Sequence, residues 1–490
     1  MIDFIDNLIA NSSSTTYLDS FTETNIENCT SFFESEYSTL LKYRWKINDY
    51  IIEKSFIINE LDFNKSHNSY CFLLILEYLE RFKLQESYHE LFTICINKGL
   101  KLGSKHQAAK IFLLQINNRN DHYDKLEDVL NYLQYAYESE EDSDKNVLIT
   151  FANYFSNVVR NVGQFNIEIL IRVINKIVEQ RNNYSFLGNK LIDQLLTIDY
   201  TDTLLADSLI QDLIERFSNR KLSISVSKNQ LLIETGTLYS EYLANCHTSF
   251  SGIRQISVKE INLLSEVEKK RIHIDLKRGT KIIDSIIELS GYMVFYGLMH
   301  NEKLISAFNY LHKYIVNKRM RIIDWGCGQG LASLVLYDTI NTNSLNSTIT
   351  DITLIEPSEI ALKRAVLHIK KYDELCKINV INKDLNSLSN IDFANSPIAK
   401  FHLFSNILDI ELFSLSNLIK LVNESFKGEN YFVCVSPYIG GDIKKGRLDT
   451  FMDSFKNNPH FEKIVSISER EGEWGNTKWT RLIRVFKVNI

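Results

Sequence analysis

The chain has 490 residues, of which 44% are hydrophobic, 11% aromatic and 24% charged, and its formal net charge is -6. This length is roughly three times that of a common single domain, so we expect two or more units, and the composition excludes wholesale disorder and a collagen-like fibre. Because the charges nearly balance, the chain as a whole gives no argument for binding nucleic acid or a membrane surface.

The first six residues contain neither a basic leader nor a long apolar stretch. No apolar run approaches the ~18 residues that a helix needs to cross a bilayer. We therefore expect no secretory signal and no membrane partner, with a cytoplasmic location as the default.

Between residues 30 and 217 the apolar residues recur at helical spacing. The predicted helices include 70–82, 88–98, 107–115, 123–137, 147–162 and 167–179. None of the four prolines occurs in the first 356 residues, so no proline interrupts these helices. The pattern predicts an all-α N-terminal domain over 1–217, either an irregular bundle or a repeat-like array of helical hairpins. Such a domain could bind a protein partner or select a substrate.

The pattern changes after residue 217. Two β-like runs at 222–226 and 231–234 indicate a β-hairpin within a linker over 218–249. Helical spacing then resumes, with Ser257 and Glu260 fitting a capping box, and continues to about residue 316. From 318 onwards, strands and helices alternate as in parallel βαβ units, which predicts an α/β domain over 250–490 with its core at 318–490.

The first of these units carries a glycine-rich turn. The strand predicted at 321–324 is followed by Gly326, Gly328 and Gly330, and a helix begins at Leu331. Glycines between a strand and a helix let the backbone approach a ligand closely, with the amides of the helix N-terminus behind it. Leu331 stands where a dinucleotide fingerprint needs its third glycine, and no Gly-Lys-Ser or Gly-Lys-Thr follows for a P-loop.

With Asp324 in front of the three glycines, the segment resembles the first motif of class I S-adenosylmethionine-dependent methyltransferases. The resemblance covers roughly residues 285–490. It implies a Rossmann-like α/β domain whose seven-stranded sheet is mostly parallel with an antiparallel last strand, here preceded by the all-α domain. It also implies that Asp324, Gly326, Gly328 and Gly330 bind S-adenosyl-L-methionine (SAM) as the cofactor.

Three further positions continue the resemblance at intervals of about one βα unit. Glu356 ends the second predicted strand, where the family's acid holds the ribose hydroxyls, a task that suits a carboxylate because it accepts two hydrogen bonds. Asp384 follows the third strand, where the family often has an acid that reads the adenine amino group, although an acid there can equally cap a turn. Ser405 ends the fourth strand. The resemblance therefore implies that all three side chains contact the cofactor.

A predicted helix before the first strand places Tyr292, Tyr296 and His300 at successive i+4 positions. The stripe is either a packing seam or part of the cofactor pocket, and its three polar tips make Tyr296 a candidate cofactor contact and His300 a candidate catalytic residue.

The segment after the fourth strand carries two further candidate catalytic residues. Asn406 and Asp409 follow the fourth strand and could orient a substrate. The resemblance implies an Asn/Asp-Pro-Pro-Tyr motif after the fourth strand in members that methylate amino groups of bases. Because no proline follows Asn406, methylation of DNA adenine or cytosine-N4 is disfavoured. We expect a macromolecular substrate, with protein and RNA both open; Lys444, Lys445 and Arg447, which follow the fifth strand, could neutralise RNA phosphates or lie on an ordinary surface. The alternative is a non-catalytic SAM-binding protein with a helical interaction scaffold.

Cysteine and histidine spacing gives no sign of a metal. The seven cysteines contain no Cys-x-x-Cys pair, and the histidines are scattered. We expect neither a disulfide framework nor a metal site.

Overall fold

In the computed structural model, the described residues are 4–138, 144–163, 166–218, 238–439, 441–470, 473–474, 477–478 and 480–490. The chain forms two compact units. The helical unit comprises Met1–Arg220 and Ile439–Gly446, and the C-terminal unit comprises Lys221–Tyr438 and Arg447–Ile490.

The first stretch of the helical unit consists of α-helices joined by short turns. They are α1 (Phe4–Ala10), α2 (Thr15–Thr24), α3 (Ile26–Phe33), α4 (Tyr37–Leu41), α5 (Arg44–Glu60), α6 (Ser66–Arg81), α7 (Gln85–Asn97), α8 (Ser104–Leu114), α9 (Asp121–Asp124), α10 (Leu126–Glu138), α11 (Asp144–Val158), α12 (Ile167–Gln180), α13 (Lys190–Leu196) and α14 (Thr203–Ser218). Their apolar faces meet in one core, to which α12 contributes Ile169, Leu170, Val173 and Ile177 at helical spacing. The prediction of an all-α N-terminal region is confirmed.

Two of the predicted helices differ in detail from the observed ones. The stretch predicted at 123–137 is divided between α9 and α10 at Lys125, and α11 passes into one π-helical turn at Val159–Gly163. The helical unit also takes in a segment from beyond the fifth strand of the sheet. Ile443 of that segment joins the helical core, and the Asp442 amide donates to the carbonyl of Lys101 at 3.2 Å.

The described residues of the C-terminal unit form ten further α-helices and nine strands. The helices are α15 (Leu238–Asn245), α16 (Phe250–Asn262), α17 (Glu266–Asp275), α18 (Ile286–Phe295), α19 (Gly297–Phe308), α20 (His312–Ile315), α21 (Leu331–Thr342), α22 (Glu359–Tyr372), α23 (Leu415–Ser425) and α24 (Asp442–Asp453), the last of which begins in the segment assigned to the helical unit. The strands are β1 (Arg319–Trp325), β2 (Thr348–Ile355), β3 (Lys377–Ile381), β4 (Ala399–Ser405), β5 (Glu429–Ser436), β6 (Glu462–Glu469), β7 (Glu473–Trp474), β8 (Thr477–Lys478) and β9 (Arg481–Asn489).

Seven of the strands form one sheet in the order β3-β2-β1-β4-β5-β9-β6. The first five are parallel, and β9 runs antiparallel between β5 and β6. Both faces are covered: Ile322 of β1 packs in a core with Leu334 of α21, and Ile323 packs in another core with Leu418 of α23. Burial on both faces explains the continuous apolar runs of these strands. The carboxyl ends of β1, β2 and β4 therefore lie side by side at one edge.

The structure corrects the boundary region. The hairpin predicted at 222–234 lies outside the described residues, and the stretch 238–245, predicted as linker, is helix α15. The capping box predicted at Ser257 and Glu260 is wrong, because α16 begins at Phe250 and both residues lie inside it. A capping box instead forms at Ser265 and Glu268, at the start of α17. Across the described part of the chain, no helix combines the length and apolarity that crossing a membrane requires.

Candidate functional site

The glycine loop, residues 326–330, connects β1 to α21 at the edge where the parallel strands end. Gly330 caps α21 with a φ of 79°, a left-handed conformation that favours glycine, and its amide donates to the Cys327 carbonyl at 2.7 Å. Gly326 has a φ of 58°, and a Cβ built there would lie 2.3 Å from Cδ1 of Ile407. The loop that follows β4 therefore packs directly on the glycine loop.

Asp324 lies behind this loop, at the end of β1. Its side chain is buried, and Oδ2 accepts hydrogen bonds from the Ser333 amide at 3.2 Å and the Ser333 hydroxyl at 2.7 Å. Burial raises the pKa of Asp324 to about 7 despite these two bonds. Asp324 thus fixes the first turn of α21 against the strand.

Glu356 follows β2 and faces the glycine loop. Its Oε2 accepts from the Gly328 amide at 3.1 Å, and its Oε1 accepts from the Ser358 amide at 3.0 Å. The Asn382 amide group donates to the Glu356 carbonyl at 3.0 Å, so the backbone here is also held. Burial raises the pKa of Glu356 to about 7, although the residue remains partly exposed. A partly exposed carboxylate next to a glycine loop has acceptor capacity for a polar ligand.

Asp384 caps a turn, which is the alternative role that the sequence allows for it. Its Oδ1 accepts from the amides of Asn386 at 2.9 Å and Ser387 at 3.2 Å, and its Oδ2 accepts from the Ser387 hydroxyl at 2.9 Å. Asp384 therefore caps the 3₁₀ turn that follows β3.

The predicted candidates Ser405, Asn406 and His300 are brought together where β4 ends. Nδ2 of Asn406 lies 2.7 Å from Nε2 of His300, and Nδ1 of His300 lies 3.3 Å from Oγ of Ser405. Lys303, one turn further along α19, donates from Nζ to Oδ1 of Asn406 at 2.7 Å. The Asn406 backbone has a φ of 57°, and its amide donates to the Val435 carbonyl at 2.8 Å.

These contacts fix the tautomer of His300. The lysine ammonium can only donate, so Oδ1 of Asn406 faces Lys303 and the NH2 group faces His300. Nε2 of His300 is consequently the acceptor, and the ring hydrogen is on Nδ1, directed at Ser405. Burial lowers the pKa of His300 well below its usual value, and the nearby Lys303 charge adds to this, so the ring is neutral.

The tyrosine stripe is interrupted but still converges. α18 ends at Phe295 and α19 begins at Gly297, so Tyr296 lies at the break between two helices. The Tyr292 hydroxyl nevertheless lies 3.2 Å from Nε2 of His300, and the rings of Tyr292 and Tyr296 are 5.3 Å apart. The structure thus brings the three stripe residues together, and His300 among them contacts Asn406.

Asp409 lies further along the loop after β4. Its Oδ1 accepts from the Ser436 hydroxyl at the end of β5 at 2.8 Å, and the residue is 9% exposed. Asp409 therefore connects the ends of β4 and β5.

Comparisons with known proteins give the following results. No family model and no curated protein matches the chain. The plantazolicin methyltransferase in complex with SAH has 13% identity and a TM-score of 0.27, with 49% of this chain and 99% of that chain covered. A SAM-dependent methyltransferase from Leishmania major has 13% identity and a TM-score of 0.28, with coverages of 40% and 76%. A tRNA methyltransferase from Aquifex aeolicus has 16% identity and a TM-score of 0.24, with coverages of 38% and 68%.

The strand order and the antiparallel β9 agree with the sheet that the sequence resemblance implies. The C-terminal unit has the class I methyltransferase fold. In this methyltransferase-type fold the glycine loop, Glu356 and the end of β4 share one edge of the sheet.

Sequence reasoning missed one residue that builds this edge and gave another a different role. Lys303 was not singled out because an isolated lysine in a helix normally lies on the surface, yet here it is fully buried. Arg447 was expected near the substrate, but its guanidinium is buried. It donates to the carbonyls of Leu408 at 3.0 Å, Ile410 at 3.0 Å and Phe413 at 3.3 Å. Arg447 thus holds the loop after β4 in place rather than binding RNA.

Two further observations concern metal ligands and the lysines in and after α17. Among the described residues, no group of three or more His, Cys, Asp or Glu side chains could hold a metal ion. In and after α17, Lys269 pairs with Glu266 at 2.8 Å and Lys281 pairs with Glu288 at 2.7 Å, so these two lysines are neutralised locally.

Proposed function

We propose that the C-terminal unit is a SAM-dependent methyltransferase domain. The observation that carries this proposal is the carboxylate of Glu356, held against the glycine loop by the Gly328 amide and still partly exposed. A carboxylate in this position can accept hydrogen bonds from both hydroxyls of a ribose. A Cβ built at Gly328 would meet nothing within 4 Å, so the loop borders open space that a ligand can enter.

The cofactor would supply an already activated methyl group. Glu356 would bind the ribose, and Gly326, Gly328 and Gly330 would let the backbone lie against the methionine half, with Asp324 fixing the start of α21. Ser405 and Tyr296 would border the same space. The contact of Asp384 with adenine stays a prediction. Because its carboxylate already accepts the capping bonds of the turn, the backbone of that turn is the better candidate for hydrogen bonding to adenine.

We propose that the helical unit selects a macromolecular substrate or a protein partner. Its helices bury a core of their own, so the unit is not needed to cover the sheet of the methyltransferase-type domain. The surface of the helical unit is therefore available to bind a substrate or a protein partner.

Calorimetric titration with SAM and with its demethylated product S-adenosylhomocysteine (SAH) tests the proposal. Saturable binding is expected for the full chain and is expected to be lost in Glu356→Ala and Gly328→Arg. Glu359→Ala is the matched control, because this acid is exposed on α22 and pairs with Lys363 at 3.0 Å. Unchanged binding in both folded site variants would refute the proposal. Binding without transfer of labelled methyl groups to any extract would favour the non-catalytic alternative.

A further inference from the structure

Asn406 is held from two sides with a fixed polarity. Nζ of Lys303 donates to its Oδ1 at 2.7 Å, and its Nδ2 donates to Nε2 of His300 at 2.7 Å. Both Lys303 and His300 come from α19 and are buried. The amide therefore cannot rotate to exchange its oxygen and nitrogen without losing both bonds.

This amide lies beside the expected cofactor position. Its neighbour in the chain, Ile407, touches the glycine loop at Gly326, and β4 pairs with β1 up to Trp325 and Phe404. A substrate group that approaches the glycine loop from the end of β4 would meet Asn406 and Ser405.

The groups available there are hydrogen-bond donors. The second Nδ2 hydrogen of Asn406 is directed away from His300, and the Ser405 oxygen receives the His300 Nδ1 hydrogen, so its own hydroxyl hydrogen can donate. Donors of this kind bind oxygen lone pairs. An amino group would instead need to donate to the Asn406 oxygen, which already accepts from Lys303. Methylation would also place a positive charge on that amino group close to the Lys303 ammonium.

His300 is poorly placed to remove a proton from a substrate. Its Nε2 accepts from Asn406, with the Tyr292 hydroxyl also 3.2 Å away, and its Nδ1 carries a hydrogen. An acceptor that has no proton to lose needs no such base.

Resting on the proposed methyltransferase function, we infer that the methyl acceptor is a carboxylate, which Asn406 and Ser405 bind through their N–H and O–H groups. One carboxylate oxygen forms a C–O bond to the methyl carbon while the C–S bond of the sulfonium breaks. The bonding pair goes to sulfur, so the products are a methyl ester and neutral SAH sulfur, and no proton is released. Lys303 and His300 are positioning residues, because they act through Asn406.

The test uses the full chain, tritium-labelled methyl-SAM and a cell extract divided in two. In one half, carboxylates are capped with glycinamide by carbodiimide; in the other, amines are acetylated. We expect label in the acetylated half only, and its release as volatile methanol in mild alkali. Separation by size then distinguishes protein carboxylates from small acids. Alkali-stable label, or label lost only after acetylation, would overturn the carboxylate inference and leave the methyltransferase proposal standing. Absence of label from both halves would contradict the inference even where calorimetry shows SAM binding.

A second measurement needs no turnover. In the SAH complex, carbon-13-labelled acetate is expected to shift the amide NH2 resonances of Asn406, whereas methylammonium is not. Asn406→Asp keeps the acceptor for Lys303 but replaces the donor with a second oxygen, and we expect it to weaken acetate binding at least about tenfold. Its SAH affinity should be unchanged. Asn423→Asp on α23 is the control, and equal acetate binding in the two variants would refute the role of Asn406.

Discussion

The Tyr239 hydroxyl donates a hydrogen bond to Nε2 of His368 at 2.7 Å, and Nδ1 of the same ring lies 2.9 Å from the Gln329 carbonyl oxygen of the glycine loop. Burial lowers the pKa of His368 to about 3, so the ring is neutral and its one hydrogen, on Nδ1, is donated to the carbonyl. A chain of hydrogen bonds thus connects α15 to the loop that we propose binds the cofactor. The Arg364 guanidinium, 3.4 Å above the Tyr239 ring, further holds this tyrosine.

Tyr239→Phe is expected to weaken SAH binding. The change leaves the buried Nε2 of His368 without its donor, which costs about 1 to 3 kcal/mol and loosens the support of the Gln329 carbonyl. Calorimetry should show an affinity several-fold lower and a lower Tm. Tyr242→Phe on the same helix is the control, because Tyr242 is 49% exposed. Equal SAH affinities in the two variants would show that α15 does not support the loop.

The contact between Tyr239 and His368 is of a kind that the sequence alone does not predict. Asp324 and Glu356 could be predicted because each ends an apolar run, and parallel strands bring such ends to one edge. Tyr239 and Lys303 could not, since each comes from a helix outside the βα repeat and its partner depends on how that helix packs. The i+4 spacing placed Tyr292, Tyr296 and His300 on one face, and the three residues lie together although α18 ends at Phe295 and α19 begins at Gly297.

Gly326→Ala is expected to destabilise the C-terminal unit through one identified clash. Its Cβ would lie 2.3 Å from Cδ1 of Ile407, in addition to the cost of about 1 kcal/mol for a left-handed residue other than glycine. Ile407→Ala in the same chain removes the clashing atoms. Denaturation of both single variants and the double variant should therefore give a positive coupling, with the double variant more stable than Gly326→Ala. Additive losses would place the cause elsewhere.

SAH affinity is expected to rise with pH from about 6 to 8. The pKa values of Asp324 and Glu356 are both raised to about 7, so below pH 7 these carboxyls are mostly protonated and Glu356 loses acceptor capacity for ribose hydroxyls. For a single group with this pKa, binding at pH 6 is about tenfold weaker than the plateau. Calorimetry over this range tests the slope. Glu356→Gln should bind more weakly at pH 8 with a flatter profile, and an unchanged slope in that variant would exclude Glu356 as the titrating group.

Lys83 makes the stability of the helical unit depend on pH. Its Nζ donates to the Ser156 hydroxyl at 2.6 Å, and the residue has a φ of 54° after α6, a turn position that normally favours glycine. Burial, with the charge of Arg160 added, lowers the pKa of Lys83 from 10.5 to about 7. Between these values the unfolded chain binds the extra proton, so the free energy of unfolding increases as pH rises from about 7 towards 10.

Lys83→Met is therefore expected to flatten this rise. Each pKa unit corresponds to about 1.4 kcal/mol, so the difference between wild type and variant should change by a few kcal/mol across the window. Denaturant titrations followed by circular dichroism at pH 7, 8 and 9 measure it. Lys42→Met, at an exposed position before α5, should keep the wild-type slope. If Lys83→Met kept that slope as well, the ammonium of Lys83 would not be desolvated in the folded helical unit.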